Sequence, residues 1–419
     1  MSIQRIALIS VHTSPLAPLG GKKTGGMNVY VRELAQELGK RGIEIDIFTR
    51  KVTPSEPEVN HGLGEHVRVI SIPAGPLQPL GPDELYEYLQ QFAAGIIRYA
   101  TRNQTRYNIV YSHYWLSGWV AYKLKEVWGT PFVHMYHTLG QMKKRIIGAV
   151  TLPPLMPDTR IVTETQIADW ADAIIAATPA EQAQLLWLYR AKRRKIHIIP
   201  PGVNLERFRP ASMSDARKRI GLAENTNLLL FVGRIERLKA VDTIIEAINI
   251  LRQQEPSLLQ NLCFAVIGGN PNNPSDEELE RLQALCSELG LKDIVKFLGA
   301  RDQDSLRDYY TAATCVIMPS DYESFGMVAL EAMATGTPVI ASEVGGLAYL
   351  VRHNETGYHV PVREPSSIAQ CIMQLLKDET KYKKMGQSAS ELARQYSWSN
   401  IADRLLAVFE AVLAAPTAD

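Results

Sequence analysis

Strand-like and helix-like hydrophobic patterns alternate along this chain from one end to the other, and this alternation is the strongest constraint on its fold. The run from Arg5 to Val11 has the length and apolar content of a buried strand. A helical pattern with one apolar face follows it, from about Met27 to Gly39. Alternation of this kind predicts α/β architecture, with parallel sheets that are covered by helices on both faces.

A proline-bearing segment interrupts the alternation near the middle of the chain. The stretch PPGVNLERFRP, from Pro200 to Pro210, has three prolines and no hydrophobic period, and the alternation restarts after it. Because 419 residues exceed what one core usually organises, we predict two doubly wound, Rossmann-like domains, 1–205 and 206–397, facing a cleft. A last apolar helix, about Ile401 to Leu413 within 398–419, is expected to pack back on the first domain. Ligands of such sheets bind at the carboxyl ends of the strands.

The composition is that of a globular protein without a strong charge bias. Hydrophobic residues make up 46% of the chain and charged residues 21%, and the formal net charge is +1. This balance gives no support to a nucleic-acid or membrane partner, since either would require a basic stripe. The amino terminus lacks the apolar core of a signal peptide, and the four cysteines form no C-x-x-C pair. A cytoplasmic protein with reduced thiols is therefore expected.

Local signals predict several element boundaries. A helix is predicted from about Asp83 to Arg102, and the polar segment from Gly140 to Asp158 is predicted to be a mobile loop over a site. Ser275 and Glu278 form a capping-box pattern that predicts the start of another helix. The stretch VGGLAYL, at 344–350, is predicted to be a glycine loop.

The stretch from 315 to 342 carries the clearest chemical pattern. An apolar strand is followed by a loop with Glu323 and by a helical pattern that starts at Phe325 and contains Gly326 and Glu331. Unpaired N–H groups at such a helix start attract anions. Two carboxylates beside it suit a ligand that has hydroxyls next to phosphates, since a carboxylate accepts hydrogen bonds from a diol. The pattern favours a sugar nucleotide; the alternative is that Glu323 caps the helix and Glu331 is solvated.

Two cations follow the first strand of the second domain. In FVGRIERLKA, Arg234 and Lys239 come just after a strand that ends at Gly233. Fixed cations there would stabilise a leaving diphosphate, whose negative charge grows as its bond to carbon breaks. The alternative interpretation is an ordinary solvated helix start.

The first domain offers weaker candidates. Thr24, Gly25 and Gly26 lie between a strand and a helix, where glycine lets the backbone approach a ligand, but no dinucleotide fingerprint follows. His113 and His137 both end predicted strands, and His137 is the better candidate for contact with a sugar. A structural histidine is the alternative for each.

The sequence contains little that predicts a metal site. Asp302, Gln303 and Asp304 spell D-x-D, which could hold Mg²⁺, yet the position before a helical pattern favours a helix cap. No paired histidines indicate zinc, and no G-x-S-x-G indicates a serine nucleophile. We therefore expect no required cofactor or metal, with a role for Mg²⁺ left open.

Four motifs occur in the order typical of one enzyme family. They are the GG before the first helix, PPGVNLERF, VGRIERLK and the E-x7-E spacing of Glu323 and Glu331. Together they resemble the retaining glycosyltransferases of family 4, which have the GT-B fold, over nearly the whole chain. The resemblance implies a UDP-sugar as co-substrate and front-face attack with the leaving phosphate as base.

The resemblance also implies roles for individual residues. Arg234 and Lys239 would bind the donor diphosphate, Glu331 the ribose and Glu323 the transferred sugar. The implied catalytic residues are His137, Arg234, Lys239 and Glu323. The implied donor-binding residues are Gly26, Arg234, Lys239, Phe325, Gly326, Met327, Val328 and Glu331.

Two subgroups of the family compete for the acceptor. SVHTSPL, GGMNVYV and SHYWLSG resemble the mycothiol-pathway enzymes that transfer N-acetylglucosamine to inositol phosphate, but Pro82 stands where those enzymes carry a phosphate-binding lysine. HTLGQMK is similar to the HSLG-x-x-K segment of sucrose-phosphate synthases. We favour transfer from UDP-glucose to fructose 6-phosphate; the alternative is UDP-N-acetylglucosamine to inositol 3-phosphate. The expected acceptor-binding residues are Gly25, Gly26, Asn28, Tyr114, Thr138, Lys143 and Arg160.

Two further classes fit the same architecture. One is an epimerase or a phosphorylase, of which the phosphorylase would require a lysine for a pyridoxal cofactor. The other is a two-lobed binding protein, which would lack turnover. We expect small-molecule partners, a nucleotide sugar and a sugar phosphate, and the sequence does not fix the oligomeric state.

Overall fold

The computed structural model describes residues 3–17, 25–146, 158–270 and 276–415 of the chain. These residues fold into two compact units. The first is formed by residues 3–17, 26–146, 158–200 and 398–415, and the second mainly by residues 201–270 and 276–397. Each unit contains one sheet connected by helices, so the predicted fold class of two α/β units is confirmed.

An eight-stranded sheet is the centre of the first unit. Its strands are β1 (Arg5–Ile9), β2 (Glu44–Arg50), β3 (Val59–Asn60), β4 (Val67–Ile72), β5 (Ile109–His113), β6 (Phe132–Met135), β7 (Ala173–Ala176) and β8 (Ile196–Ile198). They lie in the order β3-β4-β2-β1-β5-β6-β7-β8, and all neighbours are parallel except β3 and β4. Every residue of β5, β6 and β7 is buried, as expected for the interior of a parallel sheet.

Among the described residues, seven helices are interspersed with these strands. They are α1 (Gly26–Lys40), α2 (Pro82–Tyr86), α3 (Leu89–Arg102), α4 (Tyr114–Trp128), α5 (Gly140–Ile146), α6 (Thr159–Trp170) and α7 (Pro179–Leu188). Helix α1 buries Val31, Leu34 and Leu38, which repeat at the spacing of one helical face. The apolar stripe therefore fixes which side of α1 meets the core.

A six-stranded parallel sheet is the centre of the second unit. Its strands are β9 (Asn227–Val232), β10 (Leu262–Ile267), β11 (Val295–Gly299), β12 (Cys315–Met318), β13 (Val339–Ser342) and β14 (Gly357–Val360). They lie in the order β11-β10-β9-β12-β13-β14.

The helices of the second unit are α8 (Met213–Arg219), α9 (Val241–Gln254), α10 (Glu277–Glu288), α11 (Gln303–Ala312), α12 (Met327–Ala334), α13 (Gly345–Leu350), α14 (Pro365–Lys377) and α15 (Glu379–Ala393). Short 3₁₀ turns occur at Arg193–Lys195 in the first unit and at Arg237–Lys239, Pro256–Asn261 and Arg394–Tyr396 in the second. Helix α9 buries Ile244, Ile248 and Leu251 on the face that the sequence predicts.

The last helix, α16 (Trp398–Ala414), belongs to the first unit. The Trp398 ring meets the ring of Tyr30 of α1 edge to face, with centroids 5.4 Å apart. Arg41 donates from Nη2 to the carbonyl oxygen of Ser399 at 2.8 Å. Aromatic packing and hydrogen bonds thus hold α16 on α1.

Several local predictions are wrong. The helix predicted from Asp83 to Arg102 is broken between α2 and α3, where Tyr88 leaves helical geometry and its N–H bonds the carbonyl of Leu85 at 3.0 Å. The predicted loop over 344–350 contains α13. The predicted loop over 140–158 begins as α5, and its residues 147–157 lie outside the described residues. Helices α8, α14 and α15 and strands β3 and β14 are not predicted.

Two helix starts also differ from prediction. Asp276 caps α10 by accepting from the N–H of Leu279 at 3.3 Å; Ser275, the predicted cap, lies outside the described residues. Helix α12 begins at Met327 rather than Phe325, because Gly326 has φ +102° and ψ +55° and is therefore not helical. A side chain strongly disfavours such a φ, so glycine sets the start of α12.

Candidate functional site

The strand order of the second sheet marks one place where a ligand would bind. The chain runs outward in one direction from β9 to β11 and in the other from β12 to β14, so the order reverses between β9 and β12. In open α/β sheets ligands bind at such switch points, at the carboxyl ends of the strands. The segments there are the loop after β9, with Arg234 and Lys239, and the loop after β12, with Glu323.

Lys239 and Glu323 are paired across these two loops. The Lys239 Nζ donates to Glu323 Oε2 at 2.5 Å, and the two side chains are 17% and 19% exposed. This contact joins two residues that the sequence assigns to different tasks, diphosphate and sugar. The two charges neutralise each other, and either could pair instead with a ligand group of opposite charge.

Arg234 lies in the same loop and is more exposed. Its Nη1 donates to Glu236 Oε1 at 2.6 Å, and the two side chains are 46% and 40% exposed. An ion pair this exposed contributes little stability, so it leaves the guanidinium free to exchange partners.

Close backbone packing fixes the Glu323 loop. The N–H of Gly346, in the first turn of α13, donates to the carbonyl oxygen of Glu323 at 2.9 Å. A Cβ at Gly346 would lie 2.1 Å from the Cα of Phe325, and one at Gly345 would lie 2.1 Å from the carbonyl oxygen of Glu323. Only glycine allows this approach, so the pair of glycines positions Glu323.

The amino-terminal end of α12 presents backbone rather than side chains. No side chain of the described residues caps the first turn at Gly326, so its N–H groups can serve an anion. Phe325, predicted to touch the donor, buries its ring beside Tyr396, with centroids 6.0 Å apart. Its side chain thus belongs to the core, while Met327 and Val328 are half-buried.

Glu331 lies further along α12 and is buried rather than solvated. Its Oε2 accepts from the hydroxyl of Tyr310 at 2.9 Å, and its Oε1 accepts from Nε2 of Gln303 at 3.3 Å. Gln303 in turn accepts from Arg207 of the PPGVNLERF motif at 3.0 Å. These contacts hold the carboxylate in one orientation, and burial is the main cause of the raised pKa of Tyr310.

The first sheet has its own switch point, between β1 and β5. His12 follows β1 and Tyr114 follows β5, and their rings are 4.4 Å apart. Tyr114 has φ +72°, a left-handed conformation that is unusual for a residue with a side chain. Backbone strain at a strand end is typical of functional sites.

Behind this edge lies a set of neutral rings, of which His113 and His134 are buried and His137 is half-buried. His113 Nδ1 and His137 Nε2 are 2.9 Å apart, and His134 Nδ1 lies 2.8 Å from the Ser112 hydroxyl. Burial lowers the pKa of His134 and of His137 to about 3, and it lowers the pKa of His113 as well. His137 has φ +61°. These histidines are uncharged at neutral pH, so they act here as hydrogen-bonding groups rather than cations.

Arg160, predicted to bind an acceptor phosphate, is engaged within the fold. Its Nε donates to Glu164 Oε1 at 2.7 Å, and its Nη2 donates to the carbonyl and hydroxyl oxygens of Thr138 at 2.9 and 3.1 Å. The guanidinium also lies 5.0 Å from the centre of the Tyr114 ring. Arg160 therefore brings Thr138 and Tyr114 together, two of the predicted acceptor residues.

The remaining acceptor candidates lie at the start of α1 and on α5. Asn28 is buried and donates from Nδ2 to the carbonyl oxygen of Ser14 at 2.8 Å, which ties α1 to the loop after β1. Gly25 and Gly26 precede and begin α1, and Thr24 lies outside the described residues. Lys143 is exposed on α5, and no carboxylate of the described chain lies within ion-pair distance of it.

Sequence reasoning misses several residues that hold these candidates. Glu164 receives bonds from Arg160, from the N–H of Gly140 at 2.9 Å and from the hydroxyl of Tyr189 at 2.5 Å. The i, i+4 spacing of Arg160 and Glu164 on one helix is a signal that could have revealed this pair. No local signal indicates Tyr310 or Gln303.

Both carboxylates of the D-x-D motif have partners within the protein. Asp302 caps α11 by accepting from the N–H of Ser305 at 2.7 Å, and Asp304 pairs with Arg207 at 2.9 Å. In the part of the chain that the structure describes, no three His, Cys, Asp or Glu side chains are grouped so as to hold a metal ion. Nor does any described helix combine the length and apolar character that crossing a membrane requires.

Known proteins resemble both units. The family model described as "Glycosyltransferase Family 4" matches residues 24–207, and the one described as "Glycosyl transferases group 1" matches residues 212–392. D-inositol 3-phosphate glycosyltransferase of Streptomyces avermitilis is 39% identical over 98% of this chain and 88% of its own length. D-inositol 3-phosphate glycosyltransferase 2 of Catenulispora acidiphila is 40% identical over 94% of this chain and 92% of its own length.

A solved structure resembles the whole chain. Sucrose-phosphate synthase of Thermosynechococcus elongatus is 35% identical, with a TM-score of 0.87 over 98% of this chain and 99% of its own. Together with the two parallel sheets, these likenesses define a glycosyltransferase of the GT-B fold, an enzyme of the hexosyltransferase class. The chain belongs to glycosyltransferase family 4.

Proposed function

We propose that the chain is a retaining glycosyltransferase that transfers glucose from UDP-glucose to fructose 6-phosphate, forming sucrose 6-phosphate. The observation that carries this choice of acceptor is Lys143. It is exposed on α5, within the HTLGQMK segment, and has no carboxylate partner among the described residues. An unpaired cation at such a position suits a sugar phosphate.

The donor half of the proposal rests on the second unit. The diphosphate would lie at the carboxyl ends of β9 and β12, where Lys239, Arg234 and the first N–H groups of α12 attract negative charge. Entry of the diphosphate would draw Lys239 from Glu323 and release that carboxylate for the hydroxyls of the sugar. Glu331, oriented by Tyr310 and Gln303, would accept hydrogen bonds from the ribose hydroxyls.

The chemical step is a substitution at C1 of the sugar. The acceptor hydroxyl oxygen bonds to C1 as the bond between C1 and the distal phosphate oxygen breaks, and the hydroxyl proton passes to that phosphate. Negative charge grows on the leaving diphosphate, so fixed cations lower the barrier more than they tighten ground-state binding. The neutral His137 would donate a hydrogen bond to the sugar without adding charge.

The acceptor half rests on the first unit. Arg160 would support the acceptor through Thr138 and Tyr114, and Lys143 would contact the phosphate as a point charge. Pro82 supports fructose 6-phosphate over inositol phosphate, because it is the first residue of α2 and adds no cation there.

A second candidate is transfer of N-acetylglucosamine from its UDP derivative to inositol 3-phosphate. The identity of 39–40% to two proteins named D-inositol 3-phosphate glycosyltransferase favours it. Substrate preference is decided by few contacts, so overall identity does not choose between the two acceptors.

One experiment separates the two. The full chain is incubated with UDP-glucose or UDP-N-acetylglucosamine, combined with fructose 6-phosphate or inositol 3-phosphate, and the release of UDP and the product mass are measured. We expect UDP release above the hydrolysis background only with UDP-glucose and fructose 6-phosphate. Release only with the other matched pair would support the second candidate, and no release with either acceptor would refute both.

A further inference from the structure

Arg363 lies on the second unit in an unusual backbone conformation. It occupies the loop between β14 and α14 with φ +55°, a left-handed value that a residue with a side chain rarely adopts. Such a conformation persists only where surrounding contacts hold it. The contacts that hold Arg363 therefore indicate its role.

The guanidinium of Arg363 makes five hydrogen-bond contacts. Its Nε and Nη2 donate to the two carboxylate oxygens of Asp321 at 2.8 and 2.6 Å, a bidentate fork. Its Nη1 lies 3.1 and 3.2 Å from the carboxylate oxygens of Asp242, and Nη2 also donates to the carbonyl oxygen of Arg237 at 2.6 Å. One side chain thus joins three separate segments.

Two of these segments carry the Lys239–Glu323 pair. Arg237 begins the turn that ends at Lys239, and Asp321 lies two residues before Glu323. The N–H of Asp321 donates to the carbonyl oxygen of Leu238 at 2.9 Å, so the two loops are also joined through backbone. The third segment is the first turn of α9, where Asp242 also accepts from Arg281 at 2.8 Å.

The charges around Arg363 show what its removal would do. Asp242 would keep Arg281, but Arg363 is the one cation within ion-pair distance of Asp321 in the described chain. Without Arg363, an unpaired carboxylate would lie two residues from Glu323 and compete for nearby cations. The loop would then lose one of the contacts that fix its position and part of the positive field that a diphosphate needs.

We propose that Arg363 is a positioning residue for the donor: its five-contact guanidinium fixes the Lys239 turn against the Glu323 loop, so that both meet the nucleotide diphosphate in the required geometry. This inference rests on the proposed function. It assigns Arg363 no contact with the reacting atoms.

The test uses the full chain and four proteins: wild type, Arg363→Met, Arg363→Lys and the control Arg352→Met. Arg352 is a matched control because it is an arginine of the same unit in a surface ion pair, 2.9 Å from Glu355. UDP binding is measured by calorimetry, and the Michaelis constants of donor and acceptor are measured by UDP release. Thermal unfolding is followed for each protein.

For Arg363→Met we expect the affinity for UDP to fall and the donor Michaelis constant to rise, each by about 10- to 100-fold, the range for a misplaced positioning group. The acceptor Michaelis constant should change by less than about twofold, since that site lies on other residues. Arg363→Lys should restore little, because a point charge cannot join three segments. Arg352→Met should behave as wild type.

Each failure has a distinct meaning. If wild type binds neither UDP nor a UDP-sugar, the proposed function is wrong. If wild type binds UDP and Arg363→Met binds it equally well, or if both Michaelis constants rise together, the positioning role is refuted. If Arg363→Lys restored UDP binding in full, the positive charge alone would be sufficient, and the positioning role of the bidentate contact with Asp321 would be refuted. If Arg363→Met does not fold, Asp321→Asn, which removes the fork but leaves Arg363 joined to Asp242, carries the same test.

Discussion

The two strand edges where ligands would bind differ in their electrostatics. At the edge of the second sheet, charged side chains are paired with each other and partly exposed, as in Lys239–Glu323 and Arg363–Asp321. At the edge of the first sheet, His113, His134 and Tyr111 are fully buried, and burial keeps the histidines neutral. The ion pair Arg160–Glu164 lies in helix α6 rather than in this set of rings.

Under the proposed function, the two edges have different tasks: the second binds the donor diphosphate and the first binds the acceptor. An anionic diphosphate would be met by the cations of these loops, which stabilise negative charge as it develops. An acceptor hydroxyl needs orientation rather than charge, and neutral rings on a rigid sheet provide hydrogen bonds without attracting the leaving group.

The largest effect is expected on the charged edge. Replacing both Arg234 and Lys239 by alanine should lower kcat by about 10²- to 10³-fold, because the leaving diphosphate loses fixed cations that act in the transition state. Turnover is measured by UDP release at saturating donor and acceptor. The control is Lys383→Ala, which removes a paired lysine from α15, 2.7 Å from Glu379. Near-normal turnover of the double variant would show that these cations do not act on the diphosphate.

A smaller and more selective effect is expected from Arg160→Ala. The acceptor Michaelis constant should rise about tenfold or more while the donor constant changes little, because Thr138 and Tyr114 lose their common support. Glu164 is fully buried, so the loss of its partner should also lower the unfolding free energy by about 3 kcal/mol. Steady-state kinetics and urea unfolding measure the two effects. Equal changes in both Michaelis constants would argue against an acceptor role for Arg160.

The neutral edge predicts a pH dependence of stability. The pKa of His134 is about 3 in the folded chain and about 6.5 when unfolded, so the unfolded state binds the extra proton as pH falls below 6.5. Its contribution to the unfolding free energy should fall by about 1.4 kcal/mol per pH unit between pH 6.5 and pH 3. Glu181 acts in the opposite direction from pH 7 to 4.5, because burial raises its pKa to about 7.

Variants separate these contributions. His134→Gln should reduce the slope of unfolding free energy against pH by about one proton relative to wild type, measured by urea unfolding at pH 7, 6 and 5. His61→Gln, a substitution of the same type at an exposed position, is the matched control. An unchanged slope in His134→Gln would mean that His134 is not held neutral.

The smallest effect concerns the D-x-D motif of the charged edge. Asp302→Ala should cost about 1 kcal/mol of unfolding free energy, the usual loss for a helix cap. Activity titrated with Mg²⁺ should give the same curve for the variant as for wild type. If the variant kept its stability but showed a shifted dependence of activity on Mg²⁺, Asp302 would bind a metal ion rather than cap the helix.

Prediction from sequence succeeds where the signal is local. The alternation of strand and helix patterns predicts two α/β units, because the hydrophobic period of each element depends only on residues that are close together in the sequence. The loop after β12 is recognisable in the same way, as a strand, a short polar turn and a helix within about 20 residues. The roles of Glu323, Glu331, Arg234 and Lys239 are implied by the family resemblance.

Prediction fails where partners are distant in sequence. Arg363 is 42 residues from Asp321 and 121 from Asp242, and Glu331 is 28 residues from Gln303. No period joins such residues, since only the sheet order brings them together. The buried state of Glu331 and the neutral state of the histidines have the same origin, because desolvation depends on packing that no local pattern specifies.

The return of α16 to α1 has a consequence for biosynthesis. Tyr30 and Tyr111, from early in the chain, pack against Trp398 and Phe409 of its last helix, with ring centroids 5.4 Å apart in each pair. A ribosome must therefore translate the whole second unit before the first can finish its core. The nascent amino-terminal half emerges with an aromatic surface uncovered, and an expression fragment that stops at residue 200 would keep that surface exposed.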